Sequence, residues 1–466
     1  MLKTLRREPG FYRYLIALTA PIALQHLITF SLGLIDTFMV SQLGNAEMAA
    51  VTTANVPVFL LLSLGFGVQG GLGILVSQYW GKKDMENISR ALGVALFLGT
   101  GIVLVLAILF ALWPVQIMDL LSNEHELSIL GAPYLQLIGF SHVFGMISSV
   151  YISAQRSVEN PHFGMKVLAF STVLNTVLNF LLIYGKLGFP AMGIRGAALA
   201  TLLARVAEVI ICVIYALRDQ HMPLHIRAML RPGVEMVRRF LKYASPVVLN
   251  EAAWGFGNSL LTVILGYTTI SVDFLAAYSV TGNLGRLFLV ICFGLGASSA
   301  VVVGKAIGEG KSHKEVMSLS RCLMLFSLLV SAGIALIALV LIPILFEPIV
   351  FPLFKLYGHS AHIAVALAVT AFAATPLHSC AITAITGILR AGGDTGWAAA
   401  LDLLPQWLVG IPLTALFALL IDGGSHYWLI AIAIQADSLV KLPLSFLRCN
   451  NEAWIHDVTL PEGRRE

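Results

Sequence analysis

The chain has 466 residues, of which 58% are hydrophobic and 12% are Asp, Glu, Lys or Arg, with a net charge of +4. A soluble protein carries roughly 25% charged residues, so 54 charges are too few to cover soluble domains of this size. This composition excludes an ordinary soluble enzyme, a disordered regulator, a disulfide-rich secreted scaffold and a nucleic-acid-binding protein, and leaves a polytopic membrane protein.

Crossing a bilayer takes about 20 mostly apolar residues per helix. Such stretches fall at 14–39, 48–78, 89–113, 128–154, 167–184 and 193–217, then at 243–267, 274–303, 316–345, 363–389, 397–420 and 427–447. Helix is the expected state of all twelve, because backbone in lipid must satisfy its own hydrogen bonds and the alternation of a barrel strand is missing. The first stretch is too long for a signal-peptide core and is expected to remain as a span. Cys212, Cys292, Cys322, Cys380 and Cys449 are odd in number and widely spaced, and read as reduced core cysteines.

Charge placement sets the expected orientation. With the N-terminus inside, 23 basic residues, from Lys3, Arg6 and Arg7 to Arg464 and Arg465, lie on the cytoplasmic side. Only Lys186, Arg195 and Lys355 lie opposite, while Arg205, Arg286 and Lys441 fall within spans. Both termini are therefore expected in the cytoplasm, in an inner (plasma) membrane. The linker at 223–240 divides a first half, 1–222, from a second, 241–466. The halves look duplicated: at an offset of 227, Phe66-Gly67 meets Phe293-Gly294 and Gly81 meets Gly308. QRSVENP around Arg156 likewise matches LRAGGDT around Arg390. Two six-helix lobes related by an axis along the membrane normal follow, with a substrate site where they face one another.

Ionisable residues inside a span cost about 2.5–3.5 kcal/mol each and are functional candidates by default. In the first span, Gln25, Thr29 and Asp36 share one face and form a polar stripe. Asp36 suits a water-filled cavity that takes a proton or a cation. Asn175 and Asn179 in the fifth span lie one turn apart and can bind a cation or another helix. Glu208 has Arg205 three residues before it, and Asp437 has Lys441 four after it, so both pairs read as structural. In the seventh span, Glu251, Trp254 and Asn258 put an acid, an aromatic ring and an amide on one side, a set suited to organic cations. Asp402, near Gln406, reads either as a cavity acid or as one close to a loop. His378 sits alone in the tenth span and joins Gln25, Thr29, Trp254, Asn258 and Asp402 as candidate cavity lining.

Enzyme signatures fail. Gly65-Phe66-Gly67-Val68-Gln69-Gly70 matches GxGxxG only inside a membrane helix, where its glycines read as close packing or a flexible point. No GxSxG, HExxH or CxxC occurs. Neither a metal nor a cofactor is expected, beyond H+ or Na+ as a coupling ion at Asp36 or Glu251.

LIDTFMVSQLG, LNTVLNFLLIYGKLGFPAMGIRGAALAT and GILRAGGDT make the chain recognisable: it resembles the multidrug and toxic compound extrusion (MATE) family, closest to its bacterial NorM-like branch. The resemblance implies two six-helix lobes in a V, and export of drugs driven by H+ or Na+ entry. It also implies that Asp36, Asn175 and Asn179 form the polar cluster of the first lobe and that Glu251 is the cation-linked acid of the second. One departure concerns the tenth span, where the branch carries an acid and this chain has Ser379 beside His378. That favours H+ over Na+. Expected partners are small organic, mostly cationic substrates and the lipid bilayer, with no nucleic acid and no obligate protein partner. A flippase for lipid-linked saccharide precursors, recruiting Arg205 or Arg286, is the competing reading.

Overall fold

The computed structural model describes residues 7–122, 124–268, 270–420 and 423–460. Of the charges used for orientation, Lys3, Arg6, Arg464 and Arg465 lie outside them. Among the described residues the fold is all-helical, with no strand.

Twelve long helices follow in chain order. The first half holds α1 (Pro9–Ser41), α2 (Asn45–Gly81), α3 (Met85–Leu112), α4 (His125–Ser157), α5 (Pro161–Tyr184) and α6 (Gly193–Ala216). The second holds α7 (Val234–Gly266), α8 (Ser271–Gly308), α9 (His313–Leu353), α10 (His359–Leu389), α11 (Thr395–Leu419) and α12 (His426–Cys449). Pro9 and Val234, Asn45 and Ser271, and Met85 and His313 open corresponding helices at close to the 227-residue offset, so the repeat is carried by helix order as well as by residues.

Among the described residues eleven of these helices are long and apolar enough to cross a membrane. The exception is α7, expected as a span at 243–267. It is long enough, but Arg238, Arg239, Lys242, Asn250, Glu251 and Asn258 lower its apolarity below that of its neighbours.

Local signals explain the helix ends. Asp84 caps α3 by accepting from the Asn87 amide at 3.0 Å, and Ser312 and Glu315 cap α9 reciprocally. Pro161 opens α5, where its missing N–H costs nothing, and Gly185 closes it in the left-handed region at φ 65°. Wider π-helical turns interrupt the second half at Ile342–Val350, Thr383–Leu389 and Gln406–Gly410.

By contacts, the chain divides into Leu24–Glu251 and a unit made of Met1–Ala23 with Ala252–Glu466. The cuts fall inside α1 and α7, so the opening stretch of each helix belongs to a different unit from the rest of it.

In unit Leu24–Glu251, α4 is central and packs on α2, α3 and α6. Gly67 and Gly71 of α2 bring the backbone of Val248 and Ala244 on α7 too close for any side chain between them. This is the close helix approach expected of the GxGxxG stretch. The linker is fastened to the same unit. Its short helix Ile226–Leu230 lies on α3, where Gly93 makes room for the Met229 backbone, and the Ser89 hydroxyl accepts from the His225 amide at 3.0 Å. Further back, Gln155 donates to Asp219 at 2.7 Å, His221 Nε2 bonds the Val158 carbonyl at 2.8 Å, and Trp80 donates to Glu159 at 2.8 Å. The helix α7 begins at Val234, inside the segment read from sequence as linker.

In the other unit, α8 and α9 pack on α10, with one apolar cluster around Trp454 and Ile388 and a second around Phe274, Phe351 and Phe372. The opening stretch of α1 joins it: Thr19 and Ser298 share a hydrogen bond at 2.8 Å, and Gly294 lies against Ala23. After α12 the chain folds back. Trp454, fully buried, covers Gly392, where any Cβ would collide with its ring. The His456 amide donates to the Gly392 carbonyl at 2.9 Å, and Arg448 pairs with Asp394 at 2.7 Å. The glycine of the RAGGDT motif is thus explained by packing. All five cysteines are buried and free.

Candidate functional site

Two polar clusters stand inside the helical units. The first unites α1, α5 and α6. Asn179 Nδ2 donates to Asp36 Oδ1 at 2.6 Å and to Asn175 Oδ1 at 2.9 Å. Asn175 Nδ2 in turn donates to Thr201 Oγ1 at 3.2 Å, and the Thr201 hydroxyl donates its proton to the Ala197 carbonyl at 3.0 Å. Both asparagines are fully buried, because positions 175 and 179 occupy the packed face of α5, while Asp36 is half-buried. Asn179 Oδ1 is buried and accepts no hydrogen bond. An unsatisfied acceptor of this kind costs about 1–3 kcal/mol, so its place beside a carboxylate marks a position suited to a cation or a proton donor.

Nearby on α6, Arg205 Nη1 holds both carboxylate oxygens of Glu208 at 2.8 and 2.9 Å, and Ser148 donates to Glu208 at 2.8 Å. As expected from their spacing, these two charges neutralise each other. Thr29 and Gln25, assigned to the same stripe as Asp36, are engaged in packing: Gln25 donates to the Pro161 carbonyl at 2.6 Å and Thr29 to the Gln25 carbonyl at 2.9 Å.

On α7, Glu251 is half-buried and Trp254 partly exposed. The Trp254 carbonyl accepts from Asn258 at 2.9 Å and from Gln406 at 3.4 Å, while Gly257 leaves space for the Gln406 amide. Asn258 is therefore engaged within its own helix. Phe256 stacks on Trp407 with centroids 5.9 Å apart.

The second cluster unites α10, α11 and α12. Lys441 Nζ donates to Asp402 Oδ1 at 3.0 Å and pairs with Asp437 Oδ2 at 2.9 Å. Arg390 Nη2 lies 4.0 Å from the other Asp402 oxygen. His378 Nδ1 and Ser438 Oγ share a hydrogen bond at 3.2 Å, and Ser438 reaches Asp437 at 3.3 Å. Asp402 on α11 thus meets a cation carried by α12, a partner 39 residues away in sequence. Ser379, where an acid was expected by resemblance, instead shares a hydrogen bond with Ser327 at 3.0 Å, and Thr383 donates to Ser327 at 2.9 Å. That neighbourhood holds neutral hydroxyls. Groups of three or more His, Cys, Asp or Glu able to hold a metal are absent among the described residues.

Apolar helices of spanning length with buried charge clusters define a multi-pass membrane protein. The MatE family model matches residues 21–181 and 246–416, one block in each half. The chain belongs to the MatE family, whose members are transporters and not enzymes. Among its relatives, "Probable multidrug resistance protein YoeA" of Bacillus subtilis is 23% identical, over 88% of this chain and 87% of its own length. "Multidrug resistance protein MdtK" of Pectobacterium atrosepticum is 25% identical, over 86% of each. In fold, the chain is similar to the outward-facing conformation of a multidrug resistance MATE family transporter, at a TM-score of 0.82 and 18% identity, over 97% of this chain and 98% of that one. A MATE crystallised with the compound MaL6 gives a TM-score of 0.83 at 19% identity, over 96% and 97%.

Proposed function

We propose that this protein is a secondary active antiporter exporting amphipathic, mostly cationic organic molecules and drugs across the inner membrane, in exchange for H+ or Na+. Its lobes are residues 1–222 and 241–466, joined by 223–240, with both termini in the cytoplasm, and it works by alternating access. Membership of the MatE family and the multidrug names of its relatives support the transport class.

The observation carrying the coupling assignment is the Asp36 carboxylate bound to Asn179, whose own carbonyl oxygen is buried and unsatisfied. Together they offer two oxygens to a proton or a small cation. Glu251, near Trp254 in sequence, is the second coupling acid. Trp254, Asn258, Gln25, Thr29, His378 and Asp402 remain the candidate cavity lining. Neutral Ser379 and Thr383, in place of a further acid, favour H+.

Coupling follows from competition. Protonating a cavity carboxylate removes the charge that attracts a cationic substrate, so each ligand favours a different conformation. Inverted membrane vesicles with an imposed pH gradient test this directly. Uptake of a labelled organic cation is expected to be lost in Asp36→Asn and strongly reduced in Glu251→Gln; uptake that survives both changes would sink the coupling assignment.

Arg286 favours a second reading, as a flippase for lipid-linked saccharides. It is exposed midway along α8, forms no ion pair among the described residues, and would suit an anionic headgroup. Accumulation of lipid-linked precursors on deletion, reversed by the wild-type chain and not by Arg286→Gln, would support that reading over drug export.

A further inference from the structure

The Asp402–Lys441–Asp437 cluster has the composition of an ion site with its ion covalently attached. Two carboxylates on different helices, α11 and α12, each place an oxygen about 3 Å from one ammonium nitrogen. Lys441 is 2% exposed, so the charge is nearly out of solvent. A lysine head is a compact point charge on a flexible stem, the side chain closest in form to a free monovalent cation. Carboxylates and basic side chains are matched: Asp402 and Asp437 face Lys441 and Arg390, while the Ser438 hydroxyl bonds both Asp437 and His378. Deleting the ammonium alone leaves one uncompensated negative charge in a buried place. That state is strongly unfavourable unless another cation enters.

We propose that Asp402 and Asp437 form a monovalent-cation site that the chain fills with its own Lys441, and that shortening this side chain opens the site to Na+ or ammonium. The native protein therefore exchanges no ion here, and any mobile coupling ion must be bound elsewhere. The inference concerns a cluster other than the one carrying the transport proposal, and its readout is binding and stability, so it stands or falls separately.

The test is thermal unfolding of purified full-length protein in NaCl, NH4Cl or choline chloride at equal ionic strength. In Lys441→Ala, Na+ or ammonium is expected to raise the midpoint by several degrees over choline, beyond any effect on the wild type. The double variant Asp437→Asn/Lys441→Ala restores charge balance and is expected to lose that excess response. If Lys441→Ala fails to fold, recovery of folded protein in the double variant would uphold the charge argument. A Lys441→Ala protein indifferent to the three salts, or a double variant that folds as poorly as the single one, would overturn the proposal.

Discussion

The two polar clusters, one in each half of a duplicated chain, solve the problem of buried charge in opposite ways. Asp36 accepts from the Asn179 amide, which Asn175 and the Thr201 hydroxyl back up; these groups are neutral and do not cancel the carboxylate's charge. Around Asp402 and Asp437 the partner is an ammonium, and the site is electrically closed. A carboxylate with neutral donors still lacks a counter-ion, whereas one bound to a buried lysine already has it. Under the proposed mechanism, exchange belongs to the first half's cluster, and the second's ties α11 to α12.

The comparison breaks most readily at Asp36. Replacing it with Asn is expected to lower proton-driven uptake at least 100-fold, about 2.7 kcal/mol in transition-state terms. Equal loss of uptake in Lys441→Ala, with the protein folded, would erase the distinction between the clusters. Next comes Asn179→Leu, which removes both the donor to Asp36 and the unsatisfied oxygen. Uptake is expected to fall about tenfold, because the carboxylate loses its one hydrogen-bond donor from α5. Asp437→Asn leaves Lys441 with a single full carboxylate and is expected to cost about 1–3 kcal/mol of stability, visible as a lower unfolding midpoint, with less effect on uptake than Asp36→Asn. The smallest effect belongs to Thr201→Val, at the far end of the amide chain. About 1 kcal/mol of stability is expected to go, with the pH profile nearly unchanged; a large shift would mean that the chain transmits more than support.

Much of this arrangement is legible in the sequence because helical spacing is local. Positions 175 and 179 lie one turn apart, and so do 437 and 441, so their pairing follows from 3.6 residues per turn. The duplication is also readable, since glycines at close helix approaches tolerate little change: at Gly67 a neighbouring helix leaves no room for a side chain, and at Gly294 it leaves little. What spacing cannot reveal is contact between distant helices. Nothing local in WAAALDLLPQW indicates that Asp402 will meet Lys441, 39 residues later. Nor does the polar stripe distinguish Gln25, tied to a backbone carbonyl of α5, from Asp36, which faces an amide with a free acceptor.

The linker and the tail return to corresponding turns of the two halves, His221 through its ring and His456 through its backbone amide. In the first half the segment after α6 returns to the turn that follows α4, with His221 on the Val158 carbonyl. In the second half the segment after α12 returns to the turn that follows α10, with His456 on the Gly392 carbonyl. Val158 and Gly392, like His221 and His456, are nearly one repeat apart. When two copies of a gene are joined end to end, the tail of the first copy becomes the joint between them. Such a joint closes its own half, so a chain cut between Arg231 and Val234 should keep a closing strap on each side of the break, while the opening stretches of α1 and α7 stay packed in the opposite piece.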